Sequence, residues 1–511
     1  LHLLSRRQRQ MCIRDSTYLP KNMLYGEASK ALGLEYEEHQ ELFDKTFDTL
    51  CLDKTCVTLW LENTEIVMLS RYYYYENSIA QKLTWLKNCS KSEDVDIDDE
   101  IENFQQRNKI HLHEEQIKAI KGAIGNGVYV ITGGPGTGKT TIIKCILEIL
   151  ENMQKKVSLV APTGRASKRM SDSTGREAKT IHRLLEVNVI KTSESYFIHN
   201  ETNPLKTDAV IVDEVSMVDA ALMCNLLKAL PRDCKLILVG DKDQLPSVGA
   251  GNVLADILAS NTIPYCMLTK IFRQGEKSLI ITNAHLINDG KMPLIDNTSM
   301  DFFFESKNEP ETIKDTIVNL VTNRLPKFLK VEPKEIQVLA PMKAGVCGIE
   351  NLNRTLQEKI NPPSVAKPQI EVGQTIFRLG DKVMQITNNY DLIWKKQGKF
   401  AMEEGQGVFN GDIGYITLID SNSGEVNVEF EDGRNCLYTR PDLSDLSLSY
   451  AITIHKSQGS EFDTVIIPAI AGPSIILTRN LIYTAVTRAK KMVVIVGEKQ
   501  YLKRMVSNKY T

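Results

Sequence analysis

Residues 133–140 read G-G-P-G-T-G-K-T, set between the apolar run Val128 to Ile131 and an apolar-periodic stretch of helical character. No other feature restricts the fold as much. Such a loop needs a strand to deliver it and a helix N-terminus to receive it, so the segment predicts a strand–loop–helix unit. The glycines let the backbone turn its N–H groups inward, where most side chains would block an anion. Lys139 can then reach the β- and γ-phosphates of a nucleotide, and Thr140 can ligate Mg²⁺. The residues expected to wrap the nucleotide are Gly133, Gly134, Pro135, Gly136, Thr137, Gly138, Lys139, Thr140 and Thr141. A glycine-rich turn with a chance lysine is the bland alternative, and the strand–loop–helix context weighs against it.

With 511 residues the chain has room for about three to four domains of ~150 residues. Its 25% charged and 42% hydrophobic residues are those of an ordinary globular protein. The formal net charge of -2 gives no global attraction to nucleic acid, so a DNA-binding surface would have to be a local groove. No run of ~18 apolar residues is present, so no membrane-spanning helix is expected. The ten cysteines are scattered and show no C-x-x-C, which favours reduced structural thiols over a zinc site and a cytoplasmic setting, in a bacterial or phage-infected cell. Arg6 to Ser16 resembles translated sequencing-adapter sequence, with a basic arm as the alternative. Residues 1–16 are expected to be a non-native leader and are set aside.

Residues 17–110 read as a partial, mostly helical N-terminal region. Tyr72 to Tyr75 precede Ile79, Leu83 and Leu86 at helical spacing, which favours a buried helix face over a nucleic-acid stacking platform. From His111 the pattern turns to α/β. The runs Val128–Thr132, Val157–Pro162, Ala209–Glu214 and Leu236–Asp241 predict a parallel sheet over 111–265, with ligands beyond the carboxyl ends of its strands. Residues 187–206 break that rhythm and suggest a small β-hairpin insertion, with a plain surface loop nearly as good a reading. Ile336–Pro341, Thr464–Pro468 and Met492–Gly497 predict a second core over 266–371 and 443–511, and two such cores suggest a cleft. The glycine-dense segment 372–442, with Asp432–Gly433 as a hairpin turn, predicts a small β-barrel inserted in that second core.

Asp213 and Glu214 end a strand in A-V-I-V-D-E-V-S-M. Asp213 can hold Mg²⁺ opposite Thr140, and Glu214 can polarise the attacking water. Gln244, in G-D-K-D-Q-L-P-S-V-G-A-G, suits sensing of the γ-phosphate, and Gln116, shortly before the loop, suits an adenine contact. A-P-T-G-R-A offers Thr163 and Arg165 to a phosphodiester chain. T-I-H-R-L-L adds His182, for which a structural role is nearly as good a reading.

In this order the motifs resemble superfamily 1 helicases, and most closely the RecD-like helicases, over about residues 111–497. K-I-F-R-Q (Lys270 to Gln274), Y-A-I-T-I-H-K-S-Q-G-S-E-F (Tyr450 to Phe462) and Y-T-A-V-T-R-A-K (Tyr483 to Lys490) complete the set. The resemblance implies two RecA-like P-loop cores, the second carrying an SH3-like barrel. It implies that Arg273 and Arg488 reach the γ-phosphate, that His455 and Ser457 face DNA, and that Gly459 and Glu461 lie near the ribose. Longer members carry helix-hairpin-helix modules ahead of the motor, and no convincing hairpin pair is seen here. The implied activity is ATP- and Mg²⁺-dependent translocation on single-stranded DNA, 5′ to 3′, with unwinding at single-strand/duplex junctions by a monomer and no membrane partner. A nucleic-acid-regulated ATPase switch, or the helicase portion of a larger relaxase or nuclease protein, are the alternatives.

Overall fold

The computed structural model describes residues 16–509, apart from 62, 90–95, 189–195, 271–277 and 399–400. Two compact units emerge. The first holds the chain up to Pro162, Arg169–Lys242, and Pro246 as far as Lys270. The second holds Thr163–Lys168, Asp243–Leu245 and the chain from Ser278 on. No helix among the described residues is long and apolar enough to cross a membrane.

The first unit opens with helices at Lys21–Leu32, Gln40–Leu52, Ser70–Cys89 and Asp98–Asn108. Strands β1 (Tyr18–Pro20), β2 (Cys56–Leu61) and β3 (Thr64–Leu69) accompany them as an antiparallel sheet of order β1-β3-β2. The region is mostly helical, as expected, and the sheet adds to it: C-V-T-L-W-L and T-E-I-V-M-L are six-residue runs rich in strand-forming residues. The tyrosine cluster also differs from expectation. The buried face of its helix is carried by Ile79, Leu83 and Leu86, while Tyr73 and Tyr74 are 37% and 50% exposed.

Six strands then form an all-parallel sheet: β4 (Val128–Gly133), β5 (Val157–Ala161), β6 (Ala178–Thr180), β9 (Ala209–Val212), β10 (Lys235–Gly240) and β11 (Tyr265–Leu268), in the order β11-β4-β10-β9-β5-β6. Between β6 and β9, β7 (Val187–Asn188) pairs antiparallel with β8 (Tyr196–Phe197), the β-hairpin expected there. Side chains alternate across the large sheet. Val128, Val130, Val210, Val212, Leu236 and Leu238 feed one core, and Ile131, Ile211, Ile237 and Val239 feed the other. Burial on both faces explains why these strands read as unbroken apolar runs.

In the second unit, β12 (Phe302–Ser306), β13 (Ile336–Ala340), β23 (Ala451–Thr453), β24 (Phe462–Ala469) and β25 (Ala489–Gly497) make a parallel sheet of order β12-β25-β24-β13-β23. The inserted segment contributes a β14 (Gln369–Val372) and β15 (Thr375–Arg378) hairpin. It also forms a seven-stranded antiparallel sheet from β16 (Lys382–Gln385), β17 (Asn389–Gln397), β18 (Met402–Val408), β19 (Ile413–Asp420), β20 (Glu425–Phe430), β21 (Arg434–Tyr438) and β22 (Leu446–Leu448). Gly433, at φ 82°, makes the β20–β21 turn and closes it with a bond from its N–H to Phe430 O. One apolar core runs from Val338 and Ile466 of the parallel sheet into Val383, Val428 and Tyr438 of the antiparallel one. The junction is polar. Buried Asp381 accepts from Asn361, Gln357 and Tyr450, and buried Lys382 donates to Lys334 O and Gln337 Oε1.

Candidate functional site

In the first unit the phosphate loop leaves β4 at Gly133 and enters the helix Lys139–Asn152, which is anchored by Ile142, Ile143, Ile146, Ile149 and Leu150 on its buried face. Gly136 (φ 77°) and Gly138 (φ 83°) sit in the left-handed region that favours glycine. A Cβ on Gly133 would fall 2.8 Å from Leu268 Cβ and 2.9 Å from Thr137 Oγ1, so this position also admits only glycine without a shift.

Three of the loop's carbonyls are held by side chains. Thr137 Oγ1 donates to Gly134 O at 2.9 Å, Lys139 Nζ to Gly133 O at 2.5 Å and Gly134 O at 3.0 Å, and Gln116 Nε2 to Thr137 O at 3.2 Å. Among the described residues, the N–H groups of Gly134, Gly136, Thr137 and Gly138 donate to no protein acceptor. Carbonyls held back and N–H groups left open make an anion nest at a helix N-terminus. That is the observation by which the loop fits a nucleotide's phosphates.

Gln116 is 3% exposed, and its amide serves the protein at both ends. Its Oε1 accepts from His113 N in a capping box, and its Nε2 holds the loop. This geometry braces the loop rather than presenting the amide to a base. Thr140 and Thr141 lie in the first helical turn, with Thr140 exposed.

Asp213 and Glu214 follow β9 and are buried at 7% and 5% exposure. Glu214 adopts φ 53°, uncommon for a residue with a side chain, and its N–H donates to Asp213 Oδ1 at 2.8 Å. Burial first, then the charge of Glu214, push the Asp213 carboxyl above its ordinary range, against the pull of Arg169 and Lys139. Asp213 and Thr140 both offer oxygen donors, the chemistry that suits a hard divalent cation such as Mg²⁺. Arg169 Nη2 lies 2.6 Å from Glu214 Oε1 and 3.8 Å from Asp213 Oδ2.

His182 is half-buried, with its ring 5.9 Å from Phe197 beneath the small hairpin, and burial lowers its pKa. This fits the structural reading of that histidine. Arg273 lies outside the described residues. The chain leading toward it is held by Glu115, which accepts from Thr269 Oγ1, Thr269 N and Lys270 N.

The second unit contains the other candidates. Thr163 caps the helix Gly164–Thr174, its Oγ1 accepting from Ala166 N. Arg165 donates to Ser460 Oγ at 2.8 Å and Glu431 Oε2 at 2.9 Å. Gln244 is bound through its backbone carbonyl by Asn480 Nδ2, and the next residue, Leu245, by Thr484 and Gln458.

His455 is exposed at the start of a short turn, but Ser457 is fully buried and gives its hydroxyl to Ile454 O at 2.7 Å. The expectation that Ser457 faces DNA is thus not what the structure presents: the hydroxyl closes the turn that holds His455 out. Gly459 (φ 72°) is buried, and Glu461 pairs with Lys490 at 3.4 Å. Arg488 is 3% exposed and donates to Thr484 O, Ser460 O and Thr487 Oγ1 within its own core.

Three family models match in the order of these elements: a AAA domain over residues 116–250, the ATP-dependent RecD-like DNA helicase SH3 domain over 352–430, and a UvrD-like helicase C-terminal domain over 448–496. The ATP-dependent RecD2 DNA helicase of Deinococcus radiodurans is 35% identical over 74% of this chain and 48% of its own length. The RecBCD enzyme subunit RecD of Mycolicibacterium smegmatis is 30% identical over 75% of this chain and 71% of its own.

This chain belongs to the RecD-like superfamily 1 helicases. It spans about half the length of the Deinococcus relative. A Pif1 helicase from Bacteroides, solved with ADP-AlF3 and ssDNA, aligns with 78% of the RecD-like chain and 94% of its own at 20% identity and a TM-score of 0.45.

Two residues of the RecD-like site escape a motif reading. Arg169 reaches a carboxylate 45 positions away. Glu115 ties the start of the helix Glu114–Gly125 to Thr269 and Lys270. Neither has a local signature. Only the general rule that a buried carboxylate needs a partner would have prompted a search for an arginine like Arg169.

Proposed function

We propose that this chain is an ATP-driven motor that moves along single-stranded DNA 5′ to 3′ and unwinds duplex at single-strand/duplex junctions. The observation that carries this reading is the phosphate loop, three of whose carbonyls are held by side chains while four of its N–H groups donate to no protein acceptor among the described residues, in a chain with the RecD-like SH3 and UvrD-like C-terminal modules. The loop's N–H groups and Lys139 bind the β- and γ-phosphates, and Glu214 takes the proton of the attacking water. Mg²⁺ held by Thr140 and Asp213 would supply positive charge against the phosphate oxygens. Arg273 and Arg488 add charge at the γ-phosphate, and Gln244 senses it. Gly459 and Glu461 lie toward the ribose, and Thr163, Arg165 and His455 contact the strand. Alternating closure and opening of two cores would ratchet the strand along. The motor acts as a cytoplasmic monomer, since one chain carries both cores.

Strand displacement with 5′-tailed and 3′-tailed duplexes tests all of this at once. The expected result is ATP-dependent displacement of the 5′-tailed substrate. Displacement only of the 3′-tailed one would reverse the polarity. ATPase stimulated by single-stranded DNA without displacement of either would make the protein a switch.

A further inference from the structure

The Arg169–Glu214 pair engages the carboxylate proposed above to activate water. The contact is short, at 2.6 Å, and Glu214 is nearly sequestered, with a side chain only 7% exposed. A guanidinium at that distance makes a charge-assisted bond that occupies the carboxylate oxygen. A general base must instead turn that oxygen to a water. The same guanidinium also lies 3.8 Å from Asp213, so it balances two adjacent buried carboxylates.

Its placement along the chain matters equally. Arg169 lies on the helix Gly164–Thr174, whose first turn carries Arg165, one turn earlier, and whose cap is Thr163. Residues on one helix move together, so a strand that repositions the start of this helix also moves the Arg169 guanidinium.

We propose that Arg169 is a positioning residue that holds Glu214 in an idle ion pair, and that engagement of a single strand at the Thr163–Arg165 end of the same helix draws it away and releases the base. This deepens the motor reading and rests on it. The device keeps ATP turnover low when no strand is bound, and no covalent step beyond hydrolysis is involved.

The test is steady-state ATP hydrolysis by the full chain, with and without saturating oligo-dT, for wild type, Arg169→Met and Arg169→Lys. Met keeps an unbranched stem and removes the charged head. In Arg169→Met, kcat without DNA should rise about tenfold, well inside the two to four decades that a positioned base commands. The rate with DNA should stay within about threefold of wild type, so the stimulation ratio collapses. Arg169→Lys, a point charge without the planar fork, should fall between the two.

A structural role would instead lower both rates together with the melting temperature, and a role in the reaction itself would depress mainly the DNA-bound rate. Either result, or an unchanged ratio, overturns the proposal. If Arg169→Met does not fold, the Lys variant decides: a ratio identical to wild type refutes the clamp. Wild-type protein without ATPase activity would overturn the parent reading, whereas active wild type with an unaltered variant ratio overturns only the role of Arg169.

Discussion

Each parallel sheet sends a strand into a glycine-containing loop and on into a helix, yet the two loops hold their carbonyls differently. After β4, side chains hold the carbonyls of Gly133, Gly134 and Thr137. After β13, the loop P-M-K-A-G-V-C-G is held by backbone donors. Gly348 N donates to Gly345 O, and Ile349 N and Glu350 N, in the first turn of the helix Ile349–Ile360, donate to Met342 O and Lys343 O. Both loops contain a lysine and a left-handed glycine, Gly138 at φ 83° and Gly345 at φ 100°. What separates a phosphate cradle from an ordinary strand-to-helix connection is therefore not composition but which donors hold the carbonyls, side chains in the first loop and chiefly backbone N–H groups in the second.

The largest break in that comparison should come from Lys139→Ala. Removing one preorganised positive group aimed at the transferring phosphate costs about 10²–10³ in rate or more. ATP hydrolysis should fall by at least that factor while circular dichroism and melting stay close to wild type. Normal turnover would remove the loop from the active site.

Gly138→Ala and Gly345→Ala form a matched pair. Each forces a side chain into a left-handed conformation at a cost of about 1–2 kcal/mol. In the first loop that strain distorts the N–H groups that grip the phosphates, so nucleotide affinity should drop roughly tenfold by titration with a fluorescent ATP analogue. In the second loop it should appear only in melting, since nothing stands within 4 Å of an added Cβ at Gly345. Equal losses of affinity in both variants would erase the distinction.

Lysine use sharpens the contrast further. Lys382 of the second unit is buried, and burial lowers it from 10.5 to about 8 although it donates to Lys334 O and Gln337 Oε1. The sign follows from proton counting. Below pH 8 both folded and unfolded chains hold the proton. Between about 8 and 10.5 the fold has released it while the unfolded chain keeps it, so this group makes stability rise with pH. The gain is on the order of 3 kcal/mol across that window and is lost as pH falls back through 8. Lys382→Met should remove the slope, read as the difference between wild-type and variant denaturation midpoints from pH 7 to 10.5. Parallel pH profiles would show that Lys382 keeps its charge in the fold.

The contrast also shows what could be read from residues alone. G-G-P-G-T-G-K-T, the D-E pair after β9 and the Asp432–Gly433 turn are local patterns, and their geometry is local too. The apolar runs announced both parallel sheets because strands buried on two faces leave no polar alternation to misread. Arg169 meeting Glu214, Gln116 bracing Thr137 and Ser457 turning inward are long-range or conformational choices. They are decided by which buried group needs a partner after the chain has folded, and no periodicity records that.

The smallest expected effect is the one that most directly tests whether the second loop is inert toward nucleotide. Lys343 is exposed in a loop whose carbonyls at Met342, Lys343 and Gly345 are bound by backbone N–H groups, and its positive charge depresses Lys456. If the β13 loop is only a connection, Lys343→Ala is a surface change worth no more than about 0.5 kcal/mol, a factor of about two in any rate. ATP hydrolysis without DNA should therefore match wild type within that factor, and the one electrostatic consequence should be an upward move of Lys456, which burial now holds down at about 8. A tenfold or greater loss of DNA-free ATPase would mean that a lysine outside the phosphate loop works on the nucleotide, and that donor economy alone does not separate the two loops.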